Sequence, residues 1–427
     1  MGNTAFVFPG QGSHYVGMGK VLHNEFITAR RTFEEANDIL GYDIKKICFQ
    51  GSLLELNRME CMAPSILVAS TAACRVYLEE TGEYPVLSAG HSLGEYSALA
   101  CSGAISFRDA LRILHIRSML IKNITESGNG TMTVVNGVSK IDVENECNRV
   151  STGEQVVVVA CYNSPEQFVI SGHKAAVTKA EDALINLGAQ ITPILMSPPF
   201  HSPLMESASN SLRYELCKFD YNKFNWPVIS NTSATLYANS NEIVEFLALQ
   251  IMKPVQWQAT IEYMEEKGVT TIVEMGPKAV LTNLILANTK NIKLISYGQK
   301  NDRETLHKTF ISQNAGNTKV KDQNKRSYSA LIPRCLAIAV CTKNRNWNEE
   351  EYQKGVVEPY ERIEKIQEEL ESKGLEPTVE QMKEALDMLK SVFTTKKYDK
   401  DKQVLRFKQI FEETGAYELF HDFPISI

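Results

Sequence analysis

The chain has 427 residues, 43% hydrophobic and 22% charged, with a net charge of −6. That balance suits a soluble globular protein of two or three domains and lacks the basic excess that nucleic-acid binding brings. No apolar run approaches the roughly 20 residues that span a bilayer, no basic region precedes the first strand as a signal peptide would require, and nine cysteines without C-x-x-C pairs point to reduced, mostly buried thiols in a cytoplasmic protein.

The first predicted element is a short strand at Ala5–Phe8, followed by the glycine-flanked loop Pro9-Gly10-Gln11-Gly12-Ser13. A second strand, Val86–Ala89, runs directly into Gly90-His91-Ser92-Leu93-Gly94 and then into the helix-forming stretch Glu95–Ala100. This is a strand, a G-x-S-x-G turn and a helix. Glycine on both sides of Ser92 lets a sharp turn close and leaves the hydroxyl at its tip. The N–H groups of the helix N-terminus then lie beneath it, placed to stabilise an oxyanion. Taken alone, the pentapeptide also fits an ordinary strand-to-helix turn. Further on, Arg117 lies in the helical and otherwise fairly apolar stretch Leu114–Met119. A guanidinium there either reaches out to solvent or meets an anion.

Between about Asn129 and Met196 the rhythm becomes strand, helix, strand, strand, helix, strand: Thr131–Val135, Ile141–Arg149, Val156–Ala160, Phe168–Ile170, Lys174–Leu187 and Ile191–Leu195. That order is ferredoxin-like. The β-rich runs Val228–Ser230 and Thr270–Val273 join the first two strands in the pattern of an α/β domain with a largely parallel sheet. Residues 314–326 are polar and read as a linker. Its cations Lys319, Lys321, Lys325 and Arg326 suit either a docking patch or a solvated tether. Beyond lie the apolar stretch Leu331–Val340 and then charged helices. In one, Tyr360, Ile363, Ile366 and Leu370 share a face. In the next, Thr378 and Gln381 form a capping box for a helix that buries Met382, Leu386, Leu389 and Phe393. No cluster has metal-ligand spacing, so no metal is expected.

The loop Pro9–Ser13, the stretch Gly90–Leu99 and the run Ser197-Pro198-Pro199-Phe200-His201-Ser202-Pro203-Leu204-Met205 resemble, in order, the malonyl-CoA:acyl carrier protein acyltransferase family. Arg117, Asn231, the run Gln250–Trp257 and Glu274-Met275-Gly276-Pro277 extend the match over about residues 1–300. The resemblance implies a larger α/β hydrolase-like domain with a parallel sheet (residues 1–128 and 197–313). It also implies an inserted ferredoxin-like subdomain (129–196), with the active site in the cleft between the two. Ser92 is then the nucleophile and His201 its base, oriented by a backbone carbonyl near Gln250 in place of a triad carboxylate. The N–H groups of Gln11 and Leu93 form the oxyanion hole, and Arg117 grips the free carboxylate of malonyl. Phe200 crowds an added α-methyl group, and His91, Asn231 and Gln250 shape the pocket. Coenzyme A thioesters and a carrier-protein phosphopantetheine thiol are the implied substrates, with no cofactor.

The stretches Arg334–Cys341, Asn344–Asn348 and Gly355–Tyr360 resemble the extension of discrete acyltransferases that serve modular polyketide synthases in trans. Acyl carrier protein and polyketide synthase modules are therefore the implied partners. The helical extension 327–427 serves recognition or covers apolar surface. A fatty-acid malonyltransferase, a hydrolase that clears carrier proteins and a non-enzymatic docking protein are the alternatives. Arg117 argues against the hydrolase, and the set Ser92, His201 and Gln11 against the docking protein.

Overall fold

Nine strands form among the described residues: β1 (Thr4–Phe8), β2 (Leu87–Gly90), β3 (Gly130–Asn136), β4 (Val157–Ser164), β5 (Gln167–His173), β6 (Gln190–Ile194), β7 (Val228–Ile229), β8 (Thr271–Glu274) and β9 (Lys293–Ser296). The computed structural model describes residues 3–194, 197–306, 328, 330–342, 344, 346, 348–373, 375–420 and 423. They fall into two units, Met1–Gly316 and Asn317–Ile427.

In the first unit, five strands pair in parallel in the order β7-β2-β1-β8-β9. Every residue of β1 is buried, as a strand covered by helices on both faces must be. Phe8 pairs with Gly90 at the carboxyl ends of β1 and β2. The loops that leave these two neighbouring strands therefore emerge side by side, where open parallel sheets hold their ligands. The edge strand β9 was not among the predicted strands. Its four residues begin with an exposed lysine and show neither an apolar run nor a clean alternation.

One expectation is corrected. The helix Met59–Thr81 is long and apolar enough to cross a membrane by length and composition, although no such run was anticipated. Ser65, Ser70 and Thr71 interrupt the apolar residues in the sequence, yet all three are buried with their neighbours. With 89% of its most apolar window inside the protein, this is a core helix. It packs in one cluster with Phe6 and Phe8 of β1.

Strands β3 to β6 lie between β2 and β7 in the chain and form a separate antiparallel sheet, β4-β5-β3-β6. The helices Lys140–Val150 and Lys174–Asn186 bury Val143, Cys147, Val177 and Leu184 against one face of it. From the other face Met132, Cys161 and Val169 join the cluster that holds Phe200, Ile251 and Trp257. Backbone bonds tie β4 to the segment after residue 250: Tyr162 N–H donates to Val255 O at 3.0 Å, and Val255 N–H to Ala160 O at 2.9 Å.

The second unit is helical among its described residues. Its main helices are Leu331–Cys341, Glu358–Lys373, Val379–Thr395 and Lys400–Thr414. Thr378 and Gln381 form a reciprocal capping box at the start of the third. Met382, Leu386, Leu389 and Phe393 enter the unit's core with Ile363 and Leu370. The linker at 314–326 and its basic cluster lie outside the described residues. Eight free cysteines are described, of which Cys217 is exposed and Cys101 half-buried.

Candidate active site

Ser92 sits at the tip of the turn between β2 and the helix Gly94–Cys101, with φ at 51° in the left-handed region. The flanking glycines are required by contact. A Cβ at Gly94 would lie 1.9 Å from Phe8 O, and one at Gly90 would lie 2.0 Å from the Gly94 carbonyl. The loop after β1 presses on the same turn, where a Cβ at Gly10 would meet His91 O at 2.5 Å and Leu93 N at 3.4 Å. Two side-chain amides hold the strained residue in place. Ser92 N–H donates to Asn231 Oδ1 at 2.7 Å, and Gln250 Nε2 donates to Ser92 O at 2.7 Å. Asn231 is itself anchored by Nδ2 donating to Gly90 O at 2.5 Å.

His201 follows the Pro198-Pro199-Phe200 turn and also has a left-handed φ, 58°. Its backbone N–H donates to Ile251 O at 2.8 Å. The imidazole Nε2 lies 2.7 Å from Ser92 Oγ. Nδ1 lies 2.7 Å from Gln250 O and 3.1 Å from Lys253 O. Carbonyls only accept, so Nδ1 carries the proton and Nε2 is left to accept the serine hydroxyl. Burial pushes the imidazole pKa down to about 4, with the Arg117 charge acting in the same direction and the Gln250 carbonyl against it. The ring is thus neutral at ordinary pH, the form a general base requires.

The N–H groups of Gln11 and Leu93 make no hydrogen bond among the described residues. They belong to the two loops that the close approach at Gly10 brings together. Arg117 does not reach solvent. It is 4% exposed on the helix Phe107–Ser127, with its guanidinium carbon 4.6 Å from the centre of the Phe200 ring and 5.8 Å from that of Tyr96. Its Nε is buried without a partner, and no carboxylate pairs with it among the described residues. Phe200 is also 4% exposed, and its ring centre is 6.2 Å from that of the neighbouring His201. His91 points toward the small sheet: Nε2 is 2.8 Å from Asn163 Oδ1 on β4, and its ring meets Trp257 edge-on.

The structure thus brings Ser92, His201, Asn231 and Gln250 into one hydrogen-bonded group, with Arg117 and Phe200 beside it. Sequence reasoning missed Glu95, whose carboxylate lies under this group, and Asn163, which holds His91. Glu95 stands in the quoted motif as an acidic residue among small and apolar neighbours, and that was its one visible signal. No group of three or more His, Cys, Asp or Glu suited to a metal occurs among the described residues.

The family described as acyl transferase domain matches residues 5–321. The chain is 36% identical over 397 residues to a malonyl CoA-acyl carrier protein transacylase of Bacillus subtilis, covering 93% of this chain and 97% of that one. The chain belongs to the malonyl CoA-acyl carrier protein transacylase family. Its relative in Escherichia coli K12 is 40% identical over 285 residues, which are 66% of this chain and 92% of that protein. The two matches differ in extent: the 397 residues matched by the Bacillus subtilis protein must take in most of the second unit, whereas the Escherichia coli match is 285 residues long. Among solved structures, the chain is similar to a malonyl-transacylase in complex with a type II PKS acyl-carrier protein, with a TM-score of 0.70 and 36% identity. That match covers 72% of this chain and 99% of the other.

Proposed function

We propose that the protein transfers a malonyl group from malonyl-CoA to the phosphopantetheine thiol of an acyl carrier protein, in two steps through a malonyl ester of Ser92. In the first, Ser92 Oγ attacks the thioester carbonyl and its proton passes to His201 Nε2. The negative charge on the carbonyl oxygen is held by the N–H groups of Gln11 and Leu93, where one donor is worth on the order of 10²–10³ in rate. His201 then protonates the departing CoA sulfur. In the second, the carrier thiol gives its proton to His201 and attacks the ester, and Ser92 leaves with that proton. The steps call for no cofactor.

The observation that carries the malonyl assignment is Arg117. A buried guanidinium without a counter-ion is costly to the apo protein. A substrate carboxylate that pairs with it bidentately removes that cost, whereas an acetyl group leaves it in place. Phe200, stacked on the guanidinium, walls the same space and disfavours an added α-methyl by about 1–3 kcal/mol. Intact-mass analysis with malonyl-, acetyl- and methylmalonyl-CoA tests the reading. The wild type should gain one malonyl group and Ser92→Ala none. A malonyl ester on the alanine variant would mean another nucleophile.

The reading extends to pathway. The resemblance of the stretches Arg334–Cys341, Asn344–Asn348 and Gly355–Tyr360 to the extension of trans-acting acyltransferases, and the likeness to a transacylase complexed with a type II PKS carrier protein, support service to a polyketide synthase in trans. Free cysteines fit a cytoplasmic setting. Transfer rates to purified polyketide and fatty-acid carrier proteins decide the pathway; faster transfer to the fatty-acid carrier would overturn this part alone.

A further inference from the structure

Three donors, none of them a cation, surround the buried carboxylate of Glu95. The residue lies in the first turn of the helix Gly94–Cys101 and is 0% exposed. Oε1 accepts from the Tyr237 hydroxyl at 2.7 Å and from Asn231 N–H at 3.2 Å. Oε2 accepts from Gln250 Nε2 at 2.8 Å. Two of these donors belong to the residues that clamp the nucleophile. Gln250 Nε2 divides itself between Glu95 and Ser92 O, and the same residue's backbone carbonyl orients His201. Asn231 lends its backbone N–H to Glu95 and its side chain to Ser92 N–H. One carboxylate thus fixes the supports of both Ser92 and His201.

As the groups stand, the Tyr237 hydroxyl, Asn231 N–H and Gln250 Nε2 all donate to Glu95, the arrangement that an ionised carboxylate accepts, and Asn231 N–H and Gln250 Nε2 cannot reverse their roles. A protonated carboxyl must itself donate, and the Gln250 amide offers a buried acceptor without a partner, Oε1. Turning that amide over brings Oε1 to the carboxyl proton. It also sets Oε1 against the Ser92 carbonyl, where Nε2 had been donating. We propose that Glu95 is a positioning residue for acyl transfer: as a carboxylate it orients Gln250 to hold Ser92 in its strained reactive conformation, and as an acid it turns Gln250 over and releases the clamp.

Burial raises the Glu95 pKa to about 7, opposed by its hydrogen bonds from Tyr237, Gln250 and Asn231. The titratable groups that face it are Tyr237, from the segment after β7, and Tyr96, its neighbour on the helix. Burial holds both phenols above their usual range, so both stay neutral where Glu95 titrates. Of the other groups in the site, His91 and His201 are pushed down by burial, and Arg117 keeps its charge.

The test is the pH dependence of Ser92 labelling by a fluorophosphonate, a probe that needs the activated serine and no malonyl group. The wild-type rate should fall about tenfold per pH unit below about pH 7. Glu95→Gln carries a neutral amide at every pH, the counterpart of the protonated acid. Its rate should be at least about tenfold lower at pH 8 and flat down to about pH 5. Glu95→Asp keeps a carboxylate, so it should recover part of the rate and show an acid limb displaced from the wild type's. Thermal melts by circular dichroism establish which variants fold. An acid limb identical to the wild type's in either folded variant overturns the assignment. The proposal rests on Ser92 as nucleophile, so a wild type unlabelled at every pH sinks both ideas. The expected labelling profile without malonyl transfer overturns only the malonyl reading.

Discussion

Arg117 lies over the Phe200 ring, both residues are buried, and no carboxylate pairs with the cation among the described residues. That geometry separates substrate charge from substrate size. Arg117→Ala should lower kcat/KM for malonyl-CoA by about 3–5 kcal/mol, a factor of roughly 10² to nearly 10⁴. Acetyl-CoA, with no carboxylate to lose, should load as well as before or better. Equal losses for the two substrates would make Arg117 a structural residue. A second consequence concerns acid. His201 is held neutral down to about pH 4 against an ordinary value of 6.5, so its contribution to stability is present above pH 6.5 and is lost as the pH falls toward 4. Glu95 runs the other way. Its folded value of about 7 lies above the ordinary 4.5, so its contribution is present below pH 4.5 and is lost as the pH rises toward 7. Each amounts to about 3 kcal/mol, and the two nearly cancel over the same window. The wild type's urea midpoint should therefore stay level between about pH 4.5 and 6.5 as far as this site governs it, whereas the midpoint of Glu95→Gln should climb with pH. A level midpoint in that variant would show that His201 is not held neutral by the fold.

At the scale of elements, the turn that carries Ser92 leaves no room for error. Gly94→Ala would drive a methyl group into the Phe8 carbonyl, backbone against backbone, so the helix must move away from β1. Fluorophosphonate labelling of Ser92 should then fall at least about 100-fold, in line with the cost of misplacing a reacting group by an ångström. Labelling at the wild-type rate would show that the contact yields cheaply. The turn was legible in the sequence because its glycines are spaced by a steric need and its flanks show a strand and a helix. The capping box at Thr378 was legible for a similar reason, since a local hydrogen-bond exchange imposes a local spacing. Strand β9 and the core helix Met59–Thr81 were not. A four-residue edge strand has too little pattern to register, and small polar residues in a buried helix break an apolar run without breaking its burial. Within the site, motif residues were legible and their connections were not. A glutamate in the first turn of a helix ordinarily complements the helix dipole at the surface. Only the folded chain, which brings Tyr237, Asn231 and Gln250 to it from far along the sequence, turns Glu95 into a buried hub. Asn163 likewise carries no signal before β4 is set beside His91.

For the whole molecule, the division at Gly316 puts the candidate site residues and the helical second unit in different units of the chain. Every residue placed in the proposed mechanism, from Gln11 to Gln250, lies in the first unit, and the Escherichia coli relative is nearly spanned by a 285-residue match. A chain truncated after Gly316 should therefore still gain a malonyl group from malonyl-CoA by intact mass. If the second unit serves recognition, transfer to the carrier protein should slow in the truncated chain and lose part of its salt dependence. Loss of self-acylation would make the second unit part of the catalytic scaffold.

The left-handed backbone at Ser92 and at His201 reaches beyond catalysis. Each costs roughly 1–2 kcal/mol, a visible share of the roughly 5–15 kcal/mol that holds a folded domain together. Ser92, the proposed nucleophile, is thus a position at which the fold would gain by exchange for glycine, whereas His201 is buried and hydrogen-bonded and its exchange would leave a cavity. Laboratory selection for heat resistance alone, with no demand for turnover, would drift toward Ser92→Gly and produce a hardier protein that transfers nothing. Function here is kept against the grain of stability, and only selection on activity can keep it.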